Sequence, residues 1–107
     1  MASSKRDKAL LAEITGVARR LARGQQLSGA EQQEAAATLS QVARGRADLL
    51  AESAGLAIGT HEGGPDEARH LQAAQLCIEA GADLSLIPHW VEEGRRRAAS
   101  SPSPLYR

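Results

Sequence analysis

Residues 28–58, SGAEQQEAAATLSQVARGRADLLAESAGLAI, carry the longest helical pattern in the chain. Ser28 and Glu31 have the spacing of a capping box, in which each side chain bonds to a free backbone N–H group at the start of a helix. Apolar residues then recur every three or four positions, as they do along one face of a helix. The pattern predicts a single second helix over residues 29–58. Gly45 lies inside it at a cost of about 1 kcal/mol relative to Ala, and a bend or break there is the alternative.

The apolar stripe of this helix repeats over three heptads, which is the pattern of a helix that packs against a partner helix. The core available to one copy is small, because the chain has 21 Ala residues against 20 Leu, Ile and Val residues together, with no Phe, one Trp and one Tyr. We therefore predict that a second copy, or another protein, completes the apolar surface. A homodimer formed through the helix 29–58 would use the following residues: Leu39, Val42, Leu49, Leu50 and Leu56.

Three further helices are predicted on either side of this segment. Apolar residues at helical spacing predict the first helix over residues 5–23, with Gly24 as its stop. A helix over residues 66–80 begins just after a proline, which favours the first turn of a helix. Gly81 ends that helix, and the last one is predicted over residues 86–99.

The predicted fold class is all-α, a small bundle of about four helices with a long second helix. One domain spans residues 1–99, and residues 100–107 form a flexible tail, since their alternating Ser and Pro residues cannot continue a helix. The scarcity of β-branched and aromatic residues disfavours a sheet. No apolar run approaches the roughly 20 residues that a membrane span needs.

Charge and cysteine content indicate the compartment. Thirteen basic and thirteen acidic side chains give zero net charge, so no overall field attracts nucleic acid or anionic membrane. The two ends of the chain are basic and the middle is acidic, which suits self-association. The N-terminal residues lack the apolar segment of a secretory signal, and Cys77 is the sole cysteine, which suits a reducing compartment. We therefore expect a cytoplasmic protein that does not bind membranes.

A second pattern lies near the C-terminus of the sequence. The residues Gly81, Ile87, Trp90 and Gly94 are six, three and four positions apart. This spacing resembles the turn and second helix of excisionase-type and MerR-type helix-turn-helix proteins. The resemblance falls within segment 71–97 and implies a small DNA-binding regulator whose second helix enters the major groove. The nucleic-acid contacts would then be Ser85, His89, Arg95, Arg96 and Arg97.

The same segment also has a simpler explanation. Early positions of the second helix hold Leu84 and Pro88 rather than the Arg, Asn or Gln side chains that recognise base edges. Glu92 and Glu93 each stand four positions before an arginine of the run 95–97, where they would form ion pairs along the helix. We therefore rank DNA binding below protein interaction.

Residues that could carry catalysis or a metal are few. His61, His70, Cys77 and His89 match no zinc-site spacing. Cys77 and His70 are seven residues apart on one predicted helix, roughly 10 Å, which is too far for a nucleophile and its base. The glycine-rich loop around His61 fits a general base and an ordinary connection equally well. We expect a non-enzymatic interaction or accessory protein without cofactor or metal, with an accessory subunit of a larger enzyme as an alternative.

Overall fold

The computed structural model describes residues 4–100, and all regular secondary structure within that range is helical. Five α-helices follow in chain order: α1 (Lys5–Leu21), α2 (Gly29–Ala43), α3 (Ala47–Thr60), α4 (Glu67–Glu79) and α5 (Ile87–Ser100). A 3₁₀ turn, Leu84–Leu86, leads directly into α5. The all-α fold class is thus confirmed, with five helices in place of the predicted four. Of the tail predicted over residues 100–107, Ser100 ends α5 and the remainder lies outside the described residues.

The long helix predicted over residues 29–58 is two helices, so that prediction is wrong, and the structure has the break at Gly45 that was its alternative. Helix α2 ends at Ala43 because Arg44 adopts a left-handed backbone conformation, with φ +53°. Gly45 follows with φ +78°, a conformation that glycine adopts without steric cost. Two successive left-handed residues stop the α-helical hydrogen bonding, and α3 starts anew at Ala47.

An ion-pair cluster fixes this corner. The Arg46 guanidinium donates to both oxygens of Asp7 at 2.9 and 3.2 Å, and to both oxygens of Asp48 at 3.1 and 3.0 Å. These hydrogen bonds from Arg46 lower the pKa of Asp7 and of Asp48. The corner between α2 and α3 is thereby tied to the first turn of α1.

Helix α3 is the central helix of the fold. It packs most extensively against α5 and also contacts α4 and α1, while α2 packs mainly against α1 and α4. The largest fully buried side chains come from four of the helices: Ile14, Leu39, Leu50, Leu76 and Cys77. The core between these helices is otherwise built largely from alanine.

Three of the five residues predicted at a dimer interface belong to the core of the single chain. Leu39, Leu49 and Leu50 are 0%, 3% and 2% exposed. Val42 and Leu56 are half-buried. Because the chain turns after α2, these residues do not form the continuous exposed seam from which the homodimer was predicted.

Backbone-to-backbone contact joins α3 and α5. A Cβ atom on Gly59 would collide with the carbonyl oxygen of Val91 and would lie 2.8 Å from the backbone nitrogen of Arg95. A Cβ atom on Gly94 would lie 2.9 Å from the carbonyl oxygen of Leu56. Only glycine leaves room for this crossing, in which backbone atoms of the two helices are in contact with no side chain between them.

The outer helices are amphipathic. In α1 the buried residues Ile14, Val17 and Ala18 share one face, while Arg19 and Arg20 are exposed.

The predicted capping box at the start of α2 is confirmed, since the Glu31 N–H donates to the hydroxyl of Ser28 and the backbone N–H of Ser28 donates to the Glu31 carboxylate. None of the helices within residues 4–100 has the length and apolar composition needed to cross a membrane.

Candidate ligand-binding pocket

A partly enclosed space of about 150 Å³ lies between α1, α3 and α4, and we call it the chamber. Ligand sites are typically concave and mostly apolar with a few converging polar groups, so the lining of the chamber, rather than its volume, makes it a candidate site. Its apolar walls are made of short side chains and one leucine: Ala18, Leu56, Ala57, Ala73 and Ala74. The remaining lining residues are polar: Thr15, Arg19, Ser53, Thr60, His61 and His70.

Two hydroxyl groups bond to each other where α1 meets α3. Thr15 and Ser53 lie with their side-chain oxygens 2.9 Å apart, and Ser53 is buried.

Burial raises the pKa of the nearby Cys77 thiol to about 11, although a hydrogen bond with Ser53 acts in the opposite direction. The thiol is therefore protonated at neutral pH, and it lacks the thiolate character that a nucleophile needs.

Two imidazole rings stack on one side of the chamber. His61 caps the C-terminal end of α3 and His70 lies in the first turn of α4, with ring centroids 3.4 Å apart and ring planes within 14°. The Nδ1 atom of His70 donates to the carbonyl oxygen of Asp66 at 2.9 Å, so Nε2 carries the lone pair when the ring is neutral. Burial and the positive charges of His70 and Arg19 lower the pKa of His61. His61 is therefore neutral at pH 7, and an anion beside it would favour its protonated form.

A second cleft of about 420 Å³ adjoins the chamber, with Arg19 and His70 lining both, and we call this cleft the vestibule. Its other lining residues are Gly16, Arg20, Asp66 and Arg69. Three arginines and one aspartate thus line the vestibule, and the shared residues Arg19 and His70 place the vestibule next to the chamber.

The three vestibule arginines have different surroundings. Arg69 is engaged, because its Nε donates to the carbonyl oxygen of Ala22 at 2.7 Å and its NH2 donates to that of Arg19 at 2.9 Å. These bonds satisfy carbonyl groups at the C-terminal end of α1. Within residues 4–100, the guanidinium groups of Arg19 and Arg20 make no hydrogen bond or ion pair.

The geometry provides no metal site in the described part of the chain. No group of three His, Cys, Asp or Glu side chains within residues 4–100 is arranged to hold a metal ion. His61 and His70 come together, but their rings stack face to face, whereas two metal-binding imidazoles direct nitrogen lone pairs at one point.

The arginine run predicted to contact nucleic acid is held by acidic neighbours. Arg95 forms a bidentate pair with Glu62 at 3.0 and 2.9 Å, and also bonds Glu92 at 2.9 Å. Arg96 and Arg97 both bond Glu93, at 2.6 and 3.0 Å. The expected i,i+4 pair between Glu93 and Arg97 is therefore present, whereas Glu92 pairs with Arg95 instead of Arg96.

The two other predicted nucleic-acid residues are exposed near the start of α5. The Ser85 hydroxyl donates to the Asp83 carboxylate at 2.7 Å, and the His89 ring lies edge-on to Trp90 at 4.8 Å. A helix-turn-helix joins its two helices by a turn of three or four residues, with the helices packed as one unit. Here residues 80–86 separate α4 from α5, and α5 packs along α3 while scarcely contacting α4. The structure therefore gives the helix-turn-helix resemblance no support.

The sequence does not predict most residues of the chamber. Its glycine-rich loop draws attention to His61, but no pattern links His61 to His70 or to the α1 residues Thr15 and Arg19. A signal was present, because each of the three helices places small or polar residues at i, i+3 and i+4, as in Thr15, Ala18 and Arg19. Such triplets indicate a helix face whose side chains are too short to fill the space beside it, but they do not show which helices pack with those faces towards one another.

No family model, curated protein or solved structure matches the chain. The functional conclusion therefore depends on the geometry of the chamber and the vestibule.

Proposed function

We propose that this chain is a non-enzymatic helical binding protein that holds a small ligand in the chamber between α1, α3 and α4. The observation that carries the proposal is the convergence of apolar walls with the His61–His70 stack and the Arg19 guanidinium around one space. An apolar pocket with a few converging polar groups and a titratable residue of shifted pKa is the usual form of a ligand site. An accessory role beside a larger protein is compatible with this activity.

Binding is a better description than catalysis for these side chains. The Cys77 thiol is protonated and buried. No hydroxyl of the chamber is paired with a base among residues 4–100, since Thr15 and Ser53 bond to each other and the Thr60 side chain makes no hydrogen bond there. His70 is held by a backbone carbonyl at Nδ1, which fixes its ring without a carboxylate partner. Such groups orient and recognise a ligand.

Nuclear magnetic resonance with small probes tests this proposal. Benzoate, benzamide and benzamidine have nearly the same size and carry charges of −1, 0 and +1. We expect at least one of them to shift the backbone amide signals of Ser53, Ala57 and Ala74 while leaving those of α2 in place. Nuclear Overhauser contacts between probe ring protons and the Ala74 methyl group would locate the probe in the unmodified protein.

A pair of variants distinguishes chamber binding from surface binding. Ala57→Leu adds volume at a half-buried chamber wall, whereas Ala12→Leu makes the same change at an exposed position of α1 outside the chamber. Binding should be lost in the first variant and kept in the second. If no probe shifts the chamber amides of the unmodified protein, or if both variants bind a probe equally, the chamber is not the ligand site.

The homodimer through Val42, Leu56 and the buried leucines stays a prediction, as does DNA binding through residues 95–97. Light scattering of the purified chain measures the first, and Val42→Asp is the suitable variant because Val42 is half-buried at the edge of the core, whereas Leu39, Leu49 and Leu50 lie inside it; circular dichroism establishes that the variant folds. Co-elution with DNA at two salt concentrations measures the second, since phosphate contacts weaken steeply as salt rises. Neither is required by ligand binding in the chamber.

A further inference from the structure

Charged groups are unequally distributed around the proposed site. The vestibule is lined by three arginines, Arg19, Arg20 and Arg69, and by one acidic residue, Asp66. Among the described residues that line the chamber itself, none is acidic. A confined space with excess positive charge attracts and retains anions. The entrance to the chamber therefore favours a negatively charged ligand group.

Basic residues in the last turn of a helix ordinarily complement the negative end of its dipole, and Arg19 and Arg20 occupy that turn of α1. Here the terminal carbonyl groups are bonded by Arg69 from the neighbouring helix. The donors of Arg19 and Arg20 have no acceptor among residues 4–100, and both side chains are exposed. These donors are therefore available to an anion in the vestibule.

The chamber sets the size and character of the rest of the ligand. Its volume of about 150 Å³ equals that of an apolar protein cavity able to hold one benzene ring. Every buried side-chain nitrogen or oxygen among the described residues already has a hydrogen-bond partner. The buried Ser53 hydroxyl is paired with Thr15, so an apolar ring beside it leaves that group satisfied, whereas an unpaired buried polar group would cost about 1–3 kcal/mol. The stacked imidazoles of His61 and His70 add flat aromatic surface beside it.

We infer that the chamber and vestibule together bind a small aromatic carboxylate. The ring lies among Ala57, Ala73 and Ala74, and the carboxylate lies in the vestibule against Arg19. A guanidinium and a carboxylate form two parallel hydrogen bonds, and this planar geometry is one that an ammonium group does not offer. The inference rests on the proposed function, because it requires that the chamber take a ligand, and it adds the charge and chemical class of that ligand.

The test compares the three probes at pH 7.5 on the full chain. Benzoate should bind about tenfold more tightly than benzamide, and benzamidine should bind more weakly than either. The dissociation constants come from titrations followed by the amide signals of Ser53 and Ala57. Benzoate binding should also weaken as salt is added, because the carboxylate and the arginines lie near solvent.

A matched pair of arginine variants tests whether the positive charge of Arg19 binds the carboxylate of benzoate. Arg19→Gln should reduce the affinity for benzoate about tenfold and so remove the difference in affinity between benzoate and benzamide. Arg6→Gln removes the same charge from the same helix at an exposed position of its first turns, far from the vestibule, and should leave both affinities unchanged. Far-ultraviolet circular dichroism and urea unfolding of both variants establish that they fold.

Each outcome has a separate meaning. Equal affinities for benzoate and benzamide, or tighter binding of benzamidine, would overturn the carboxylate inference while leaving ligand binding in the chamber intact. Equal effects of Arg19→Gln and Arg6→Gln would also overturn it, because net charge rather than the vestibule would then govern affinity. Failure of all three probes to reach the chamber would refute the proposed function itself.

Discussion

The crossing of α3 over α5 gives the sharpest prediction about stability. We consider Gly59→Ala, a change that in an isolated helix would be favourable by about 1 kcal/mol because alanine has the higher helix propensity. In this protein the new methyl group meets the carbonyl of Val91 and the backbone nitrogen of Arg95. Both are backbone atoms, and they cannot move away as the end of a flexible side chain can. Overpacking of this kind typically costs about 1–3 kcal/mol, and contact with two backbone groups belongs at the upper end.

The net expectation is a loss of about 2 kcal/mol in the free energy of unfolding, after the gain in helix propensity is subtracted. Gly16 in α1 is the matched control, because the nearest atom to a Cβ built there is an Arg20 guanidinium nitrogen at 3.8 Å, an ordinary contact. Gly16→Ala should therefore stabilise the protein by about 0.5–1 kcal/mol. The same chemical change is thus predicted to have opposite signs at two helical glycines.

Urea unfolding at 25 °C measures both variants. The sole tryptophan, Trp90, lies on α5 next to the crossing, so its fluorescence reports on this contact while circular dichroism reports on total helix. For a domain of this size a loss of 2 kcal/mol lowers the melting temperature by about 8–16 °C. If Gly59→Ala is as stable as Gly16→Ala, α3 and α5 do not pack backbone to backbone and the description of that interface is wrong.

Three further predictions concern a helix cap, the thiol and the imidazole stack. Ser28→Ala should lower the free energy of unfolding by about 1 kcal/mol, as measured in urea, because the capping box is lost; an unchanged midpoint would contradict that role. Iodoacetamide at pH 8 should modify Cys77 far more slowly in the folded protein than in urea, since the thiol is buried and its pKa is about 11; equal rates would contradict the burial. The pKa of His61 is lowered on folding, so the unfolded chain takes up the proton first as the pH falls through about 6.5, and stability is lost toward acid. His61→Gln should therefore lose less stability between pH 7.5 and 5.5 than the unmodified protein or the exposed-site control His89→Gln, and three equal slopes would refute the assignment.

Local sequence signals predicted most helix positions, and Gly45 indicated the break between α2 and α3 only as the alternative to one continuous helix. The Ser28–Glu31 box depends only on residues within one turn, so spacing alone identified it correctly. The break depends on Arg44 taking a left-handed conformation, which arginine rarely does without tertiary support. That support comes from outside the segment, since Arg46 binds Asp7 at the start of α1. A contact between residues so distant in sequence leaves no periodicity to detect.

The apolar stripe over residues 29–58 also could not show, from sequence alone, what covers it. It showed correctly that Leu39, Leu49 and Leu50 avoid water, but a stripe does not say whether the same chain or another copy covers it. In the structure the turn after α2 allows one chain to bury all three. The chamber escaped prediction for the opposite reason, because it is defined by side chains too small to fill a space, and alanine is common throughout this sequence.

The glycine-mediated contact between α3 and α5 and the chamber lie next to each other at the C-terminal end of α3. Gly59 contacts α5, and the next residues of the chain, Thr60 and His61, line the chamber. The carboxylate of the following residue, Glu62, accepts hydrogen bonds from Nε and NH2 of Arg95 in α5. Helix α5 thus contacts the C-terminal end of α3 on one side, and the chamber lies on the other side of α3. A methyl group at Gly59 should therefore weaken ligand binding as well as stability, even though α5 itself contributes no residue to the chamber.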